Sequence, residues 1–293
     1  MRIFVTGASG WIGSAVVPEL ISAGHQVLGL ARSDASAKAV AGMGADVLRG
    51  DLNDTGILRA GTLDSDGVIH LAFLVPSVSE AATRTDATAI ETFAASLAGS
   101  GKPMLISGAT IATPGRPSTE RDELIAAGPI AARITNMRAA LAAAERDVRA
   151  CPVMLPRSVH GEGERHGFIP QLIALARAKG VSGYIGDGAS RWPAVHVKDA
   201  ARLYRLAVEQ APAGSVLNAA GEEGVPVREI AEAIGRGLNL PARSLPAGAF
   251  AGMLVPLLSR DMPASSTITQ QLLGWKPTHP GLIEDIEQGH YFT

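Results

Sequence analysis

A short apolar run, Arg2-Ile3-Phe4-Val5, opens directly into Thr6-Gly7-Ala8-Ser9-Gly10-Trp11-Ile12-Gly13 and then into a helical pattern. A strand that turns through Gly-x-x-Gly-x-x-Gly into a helix does two things at once. The glycines let the backbone approach an anion closely, and the free N–H groups of the helix start point at that anion. The spacing predicts a dinucleotide held over Gly7, Ser9, Gly10, Trp11, Ile12 and Gly13, in the βαβ setting that such a turn requires.

Periodicity extends this pattern through the first half of the chain. Strands are expected at 2–6, 26–30, 45–48, 67–71, 103–107 and 152–156. Helices are expected near 11–22, 35–42, 53–60, 86–99 and 129–149. Apolar strands alternating with helices predict an α/β fold, a doubly wound, Rossmann-type parallel sheet. After residue 158 the pattern changes. A helix near 198–210 and a strand at 215–218 are expected to return to the first domain, while helices near 169–179, 226–237 and 280–289 and Pro-rich connections at 241–263 suggest a smaller, discontinuous C-terminal substrate lobe. The expected division is 1–158 with 194–221 for the dinucleotide-binding domain, and 159–193 with 222–293 for the lobe. The cleft between them is the expected small-molecule substrate site.

A net charge of −2 and a pI near 6.4 give no electrostatic case for nucleic acid or an anionic membrane. The single cysteine, Cys151, excludes an intrachain disulfide and a cysteine metal cage, and its apolar surroundings read as a buried, inert thiol. The histidines lack His-x-x-x-His spacing, so no metal is expected. No Gly-x-Ser-x-Gly elbow supports a hydrolase. No stretch reaches the length of a membrane span and the N-terminus lacks a signal-peptide layout, so the expectation is a soluble cytoplasmic protein.

Further features fall where a dinucleotide fold needs them. Arg32-Ser33 follows the second strand, about twenty residues past the glycine turn. A carboxylate there binds ribose hydroxyls, whereas a guanidinium suits a 2′-phosphate, so NADP(H) is expected over NAD(H). Asp51-Leu52 follows the third strand, where Asp51 can accept from the adenine amine or cap the helix at 53–60. His70-Leu71-Ala72-Phe73 ends the fourth strand. Pro156-Arg157-Ser158-Val159-His160-Gly161 ends the sixth, near the nicotinamide, with Pro156, Ser158 and Val159 as expected contacts.

Taken together, Thr6-Gly7-x-x-Gly10-x-x-Gly13, Gly50-Asp51-Leu52, His70-Leu71-Ala72 and Leu155-Pro156-Arg157-Ser158-Val159-His160-Gly161 resemble the extended short-chain dehydrogenase/reductases, the NAD-dependent epimerase/dehydratase superfamily. The stretches Gly186-Asp187-Gly188 through Ala201 and Gln271-Leu272-Leu273-Gly274-Trp275-Lys276-Pro277-Thr278 are similar to later segments of that family. The resemblance implies a seven-stranded parallel sheet, a nicotinamide cofactor and a homodimer.

It also implies a Tyr-x-x-x-Lys pair before the sixth strand, and the chain cannot supply one. Its tyrosines are Tyr184, Tyr204 and Tyr291, none with lysine four residues on, and no lysine lies between Lys102 and Lys179. Counting back from Pro156 places the pair near Arg133 and Met137 or, one residue on, at Ile134 and Arg138. Ser107-Gly108-Ala109-Thr110 partly keeps the group expected at the fifth strand. Ser107, Thr110 and Arg133 are therefore the candidate catalytic residues. Three explanations stay open: a divergent carbonyl reductase or alcohol dehydrogenase, a non-catalytic NADP(H) sensor, and a nucleotide-sugar-type epimerase or lyase.

Among other candidates, His160, His166, Phe168 and Trp192 are expected near the substrate, and His196 reads as a structural residue bonding backbone. Ile130, Ile134, Met137, Leu141, Ala144 and Val148 repeat at helical spacing. That face is either ordinary core or, with the helix at 86–99, a two-fold dimer contact.

Overall fold

The computed structural model describes residues 1–73, 79–126, 128–250, 252 and 254–293. In chain order the first elements are β1 (Arg2–Thr6), α1 (Gly13–Ser22), β2 (Gln26–Ala31), α2 (Asp34–Gly42), β3 (Asp46–Arg49), α3 (Thr55–Leu63) and β4 (Gly67–His70). They are followed by α4 (Glu80–Leu97), β5 (Pro103–Ala109), α5 (Ala131–Ala142) and β6 (Arg149–Leu155). The second part holds β7 (Ser158–His160), α6 (Phe168–Lys179), β8 (Ser182–Tyr184), β9 (Arg191–His196), α7 (Val197–Gln210) and β10 (Leu217–Asn218). It closes with β11 (Glu222–Pro226), α8 (Val227–Leu238), β12 (Ala242–Ser244), α9 (Leu254–Ser259), α10 (Thr267–Leu273) and α11 (Leu282–Glu287).

Seven parallel strands form the central sheet in the order β10-β6-β5-β4-β1-β2-β3. Both faces are covered, which is why its strands are apolar on both sides. Ile3 and Val5 pack with Val16, Leu20, Leu203 and Tyr204 of α1 and α7. Phe4 points the other way, to Leu58, Phe93 and Ile134 of α3, α4 and α5. The chain winds outward from β1 in one direction and from β4 in the other. The crevice at this reversal, above the carboxyl ends of β1 and β4, is where an α/β sheet of this kind leaves room for a ligand.

The helix expected over 129–149 is shorter. A 3-10 turn at Gly128–Ile130 leads into α5, a second follows at Ala143–Arg146, and Asp147 is left-handed at φ 56°. Pairing of Arg149 through Leu155 with β5 then overrides the helical propensity of the alanine-rich run. Of the apolar face, Ile134, Met137 and Val148 are buried in the cluster that also holds Met104 and Ile106 of β5, while Ile130, Leu141 and Ala144 are half-buried.

In the second part, β11-β9-β7 make a small sheet and β12-β8 a two-stranded one. Neither sheet is apparent in the sequence, and α10 is an added helix. The boundaries expected at 158 and 194 pass through β7 and β9. The lobe core gathers Trp192, Ile169, Ile230, Ile234, Leu282 and Ile286. Among the described residues no helix is long and apolar enough to cross a membrane, and no group of three or more acidic, histidine or cysteine side chains is arranged to hold a metal.

Candidate active site

The glycine turn owes its shape to two backbone approaches. Gly7 is left-handed at φ 68°, and a Cβ there would stand 2.7 Å from the Ala72 nitrogen. A Cβ at Gly13 would collide with the Gly7 carbonyl. The turn closes with Gly10 N donating to Gly7 O at 2.9 Å. Ile12 caps α1 with no side-chain hydrogen bond; Ser14 N donates to the Gly10 carbonyl and Ala15 N to the Ile12 carbonyl, which leaves the N–H groups of Ile12 and Gly13 available to an anion.

A cavity of about 420 Å³ opens over this turn. It brings together Gly7, Ser9, Gly10, Trp11, Ile12 and Gly13 with Arg32 from the end of β2, Asp51 and Leu52 from beyond β3, and Leu71, Ala72 and Phe73 from beyond β4. Ser36 also lines it, a contact the sequence reading missed. Four expected contacts are not in its wall. The Ser33 hydroxyl caps α2, accepting from Ser36 N. Pro156 and Ser158 are buried below, and the Val159 carbonyl accepts from Trp11 Nε1 at 2.7 Å, tying the glycine turn to β7. The cap of α3 is Asp54; Asp51 instead accepts from Asn53 N at 3.0 Å and Asn53 Nδ2 at 2.6 Å.

A buried polar chain runs under the cleft. Ala72 N donates to Thr6 Oγ1, which lies 2.6 Å from His70 Nδ1. His70 Nε2 lies 3.2 Å from Asp86 Oδ1, and Asn136 Nδ2 donates to Asp86 Oδ2 at 2.6 Å. Burial pushes the Asp86 carboxyl up, but the hydrogen bonds from His70 and Asn136 outweigh it and hold the pKa below its usual value. This network links the end of β1 and the segment after β4 to α4 and α5.

The candidate catalytic residues are placed unequally. Ser107 Oγ donates to the His70 carbonyl at 2.9 Å and lies 2.7 Å from the Tyr204 hydroxyl. A serine has one proton, so Tyr204 is the donor in that second bond. Ser107 therefore faces α7, and its proton is engaged. The neighbouring position, Gly108, faces α5: a Cβ there would lie 3.0 Å from the Met137 sulfur. Thr110 is 3% exposed, and its N–H donates to the Leu155 carbonyl. Arg133 donates through Nη2 to the Ser107 carbonyl at 3.1 Å. Its guanidinium lies 3.9 Å from the centroid of Phe73, a cofactor-cavity residue, and its Nε is buried without a partner. Burial lowers its pKa from the usual value, yet an arginine stays cationic.

The expected substrate contacts scatter. His160 is fully buried and lies 2.8 Å from Asp285 Oδ2, so it packs inside the molecule and does not face a cleft. Trp192 is also fully buried; its indole donates to the Leu257 carbonyl in the lobe core. Phe168 is half-buried with its ring 5.9 Å from that of Trp192, and His166 is exposed in the turn before α6. His196 Nδ1 accepts from Lys198 N and caps α7. Cys151 is buried, and burial pushes its thiol up to about 11. A second cavity of about 400 Å³ lies between the 111–125 segment, the start of α5 and residues 260–262.

The sequence profile of the NAD dependent epimerase/dehydratase family matches residues 3–220. An uncharacterized protein of Schizosaccharomyces pombe is 43% identical over 100% of both chains. The chain belongs to the NAD dependent epimerase/dehydratase family. A 4-hydroxy-2-methyl-3-oxo-4-farnesyl-3,4-dihydroquinoline-1-oxide ketoreductase of Stigmatella aurantiaca is 29% identical over 74% of this chain and 67% of its own. A solved dTDP-glucose 4,6-dehydratase of Streptomyces venezuelae with NAD bound superposes with a TM-score of 0.80 at 19% identity, covering 99% of this chain and 96% of its own. The fold is thus that of the extended short-chain dehydrogenase/reductases. Neither pair at the place where the resemblance sets tyrosine and lysine, Arg133 with Met137 or, one residue on, Ile134 with Arg138, supplies them.

Beside the cofactor turn, Glu164 is 8% exposed and accepts from the Tyr291 hydroxyl at 2.6 Å. Burial, with a smaller push from Asp285, raises its carboxyl to about 7 against the Tyr291 hydrogen bond. The folded state therefore holds this proton more tightly than the unfolded chain, and stability falls as the pH rises from about 4.5 to about 7. Glu164→Gln removes that loss. Its stability relative to wild type should rise by about 3 kcal/mol between pH 4 and pH 8 in urea titrations. A pH-independent difference would mean that the carboxyl titrates normally.

Proposed function

We propose that this chain is an NADP(H)-dependent oxidoreductase that reduces a carbonyl, or oxidises an alcohol, of a small organic substrate without a Tyr-x-x-x-Lys pair. The observation that carries the reading is the cavity over the glycine turn, which joins Arg32 and Ser36 at one end to Phe73, stacked on Arg133, at the other. When bound, the nicotinamide supplies hydride chemistry. The chain's own part is to hold and orient the cofactor and to place charge beside the reacting oxygen. The ketoreductase name of the Stigmatella relative favours carbonyl reduction. Arg133 and Met137, which leave no tyrosine and no lysine at the expected pair, favour the sensor as the second reading.

Arg32 has no carboxylate partner among the described residues and suits a 2′-phosphate. Calorimetry on Arg32→Ala should show NADPH binding weakened roughly tenfold to a hundredfold, with NADH nearly unaffected. Equal losses for both cofactors would refute the preference. A broad carbonyl panel decides between the two readings: NADPH oxidation with any member supports the reductase, and tight NADPH binding with none supports the sensor.

A further inference from the structure

Asp51 lines the cofactor cavity on the side of β2 and β3, together with Arg32, Ser36 and Leu52. One of its oxygens is tied twice. Asp51 Oδ1 accepts from Asn53 N at 3.0 Å and from Asn53 Nδ2 at 2.6 Å. The backbone bond is the ordinary closure of a turn by an aspartate. The side-chain bond adds a second direction and fixes how the carboxylate faces the cavity. Asn53 is held in turn from a distant element, because its Oδ1 meets Thr85 Oγ1 of α4 at 2.9 Å. An ionised carboxylate can only accept, so the Asn53 amide must turn its NH2 to Asp51 and its oxygen to Thr85. Thr85 is therefore the donor.

Thr85 departs from the other hydroxyls of its helix. Thr83, Thr92 and Ser96 each turn theirs back to the carbonyl four residues earlier, the usual resting place on a helix. Thr85 sends its one proton across to the loop after β3, 32 residues away in the chain. Asn53 is exposed and Thr85 half-buried, so water could serve either group, and the bond between them adds little to stability. What the pair of bonds does achieve is to order Asp51.

We propose that Asn53 and Thr85 are positioning residues that aim Asp51 at the base of the cofactor, so that the chain accepts adenine and rejects a purine with oxygen at position 6. The inference rests on the cofactor part of the proposed function and is independent of turnover. Leu30 and Leu52, both buried in the same wall, offer an apolar surface that suits either ring equally, so discrimination falls to Asp51. Adenine presents an amino donor at position 6. Hypoxanthine presents a carbonyl there, which a carboxylate repels. Hypoxanthine also carries a proton on N1, and a carboxylate free to swing could accept it. A carboxylate tied through Asn53 to α4 cannot re-aim, and that is how the tether becomes specificity.

Titration calorimetry on the full chain, with NADPH and with its 6-oxo analogue, nicotinamide hypoxanthine dinucleotide phosphate, reads the ratio directly. The wild type should prefer NADPH about tenfold to a hundredfold, the worth of one hydrogen bond to a charged group. Asp51→Ala should remove the preference. Asn53→Ala and Thr85→Val should each cut it roughly threefold to tenfold, chiefly because the analogue binds better. Thr85→Ser keeps the hydroxyl and should keep the wild-type ratio. A merely structural role would lower both affinities together, so an unchanged ratio in Thr85→Val overturns the proposal, as do equal affinities in the wild type. Should Asn53→Ala fail to fold, the contrast between Thr85→Val and Thr85→Ser decides. If Arg32 proves not to favour the 2′-phosphate, NADH and its hypoxanthine analogue read the same ratio, so a failed NADP(H) preference leaves this inference standing. A wild type that binds no dinucleotide removes the cofactor reading and this inference with it.

Discussion

Replacing Asp86 by alanine is expected to cost about 3–5 kcal/mol of folding stability. The residue is 4% exposed and meets two donors, His70 Nε2 and Asn136 Nδ2. Without the carboxylate His70 Nε2 stays buried and unpaired, and Asn136 Nδ2 keeps only the Thr83 carbonyl at 3.0 Å. Urea unfolding should show the midpoint fall at constant slope. The sign with pH follows from the lowered pKa of Asp86. Its contribution is present above the usual carboxylate value of 3.8 and is lost as the pH falls below it, so the wild-type and variant curves should converge in acid. Asp86→Asn should fall between the two, because its one amide oxygen can still serve Asn136 while the His70 tautomer changes to meet the amide N–H. A loss below about 1 kcal/mol in Asp86→Ala would mean that water reaches this chain and relieves the donors.

The parts of this molecule that the sequence makes legible are those set by neighbours in the chain. The turn Gly7 through Gly13 is a local backbone shape, and the strands beside it announce themselves by apolar runs. Arg133 could be found by counting because α5 and β6 are consecutive. What depends on facing is hidden. Met104-Leu105-Ile106-Ser107 is apolar on both sides of a doubly covered sheet, so periodicity cannot say that Ser107 points to α7 and Gly108 to α5. Asp86 and His70 meet across sixteen residues, and His160 meets Asp285 across 125, through tertiary packing alone. The alanine-rich run before Asp147 has helical propensity throughout, and only pairing with β5 ends it. The short helix α10 is held by contacts from far away: Glu120 Oε1 accepts from Thr269 N at 2.8 Å, and Thr269 Oγ1 accepts from Asn218 N.

The facing of Ser107 changes which substitution should abolish chemistry. With its proton on the His70 carbonyl, Ser107 has none to give a substrate oxygen. Ser107→Ala should mainly cost stability, about 1–3 kcal/mol, because the fully buried Tyr204 hydroxyl loses its partner. Arg133 is different. Two contacts, the Ser107 carbonyl and the Phe73 ring, fix its guanidinium at the edge of the cofactor cavity, while Nε is left without a partner. On the proposed reductase reading, such a fixed cation in a site of low dielectric would stabilise a substrate oxyanion without supplying a proton. Arg133→Ala should lower the turnover number about a hundredfold to a thousandfold, with NADPH affinity little changed. Arg133→Lys keeps the charge but loses the planar fork, so it should recover only part of the rate. Because arginine does not titrate near neutrality, the pH profile of the residual activity should keep the shape of the wild-type profile. Full activity in Arg133→Ala, with activity lost in Ser107→Ala at a temperature where that variant remains folded, would place the chemistry on the serine after all.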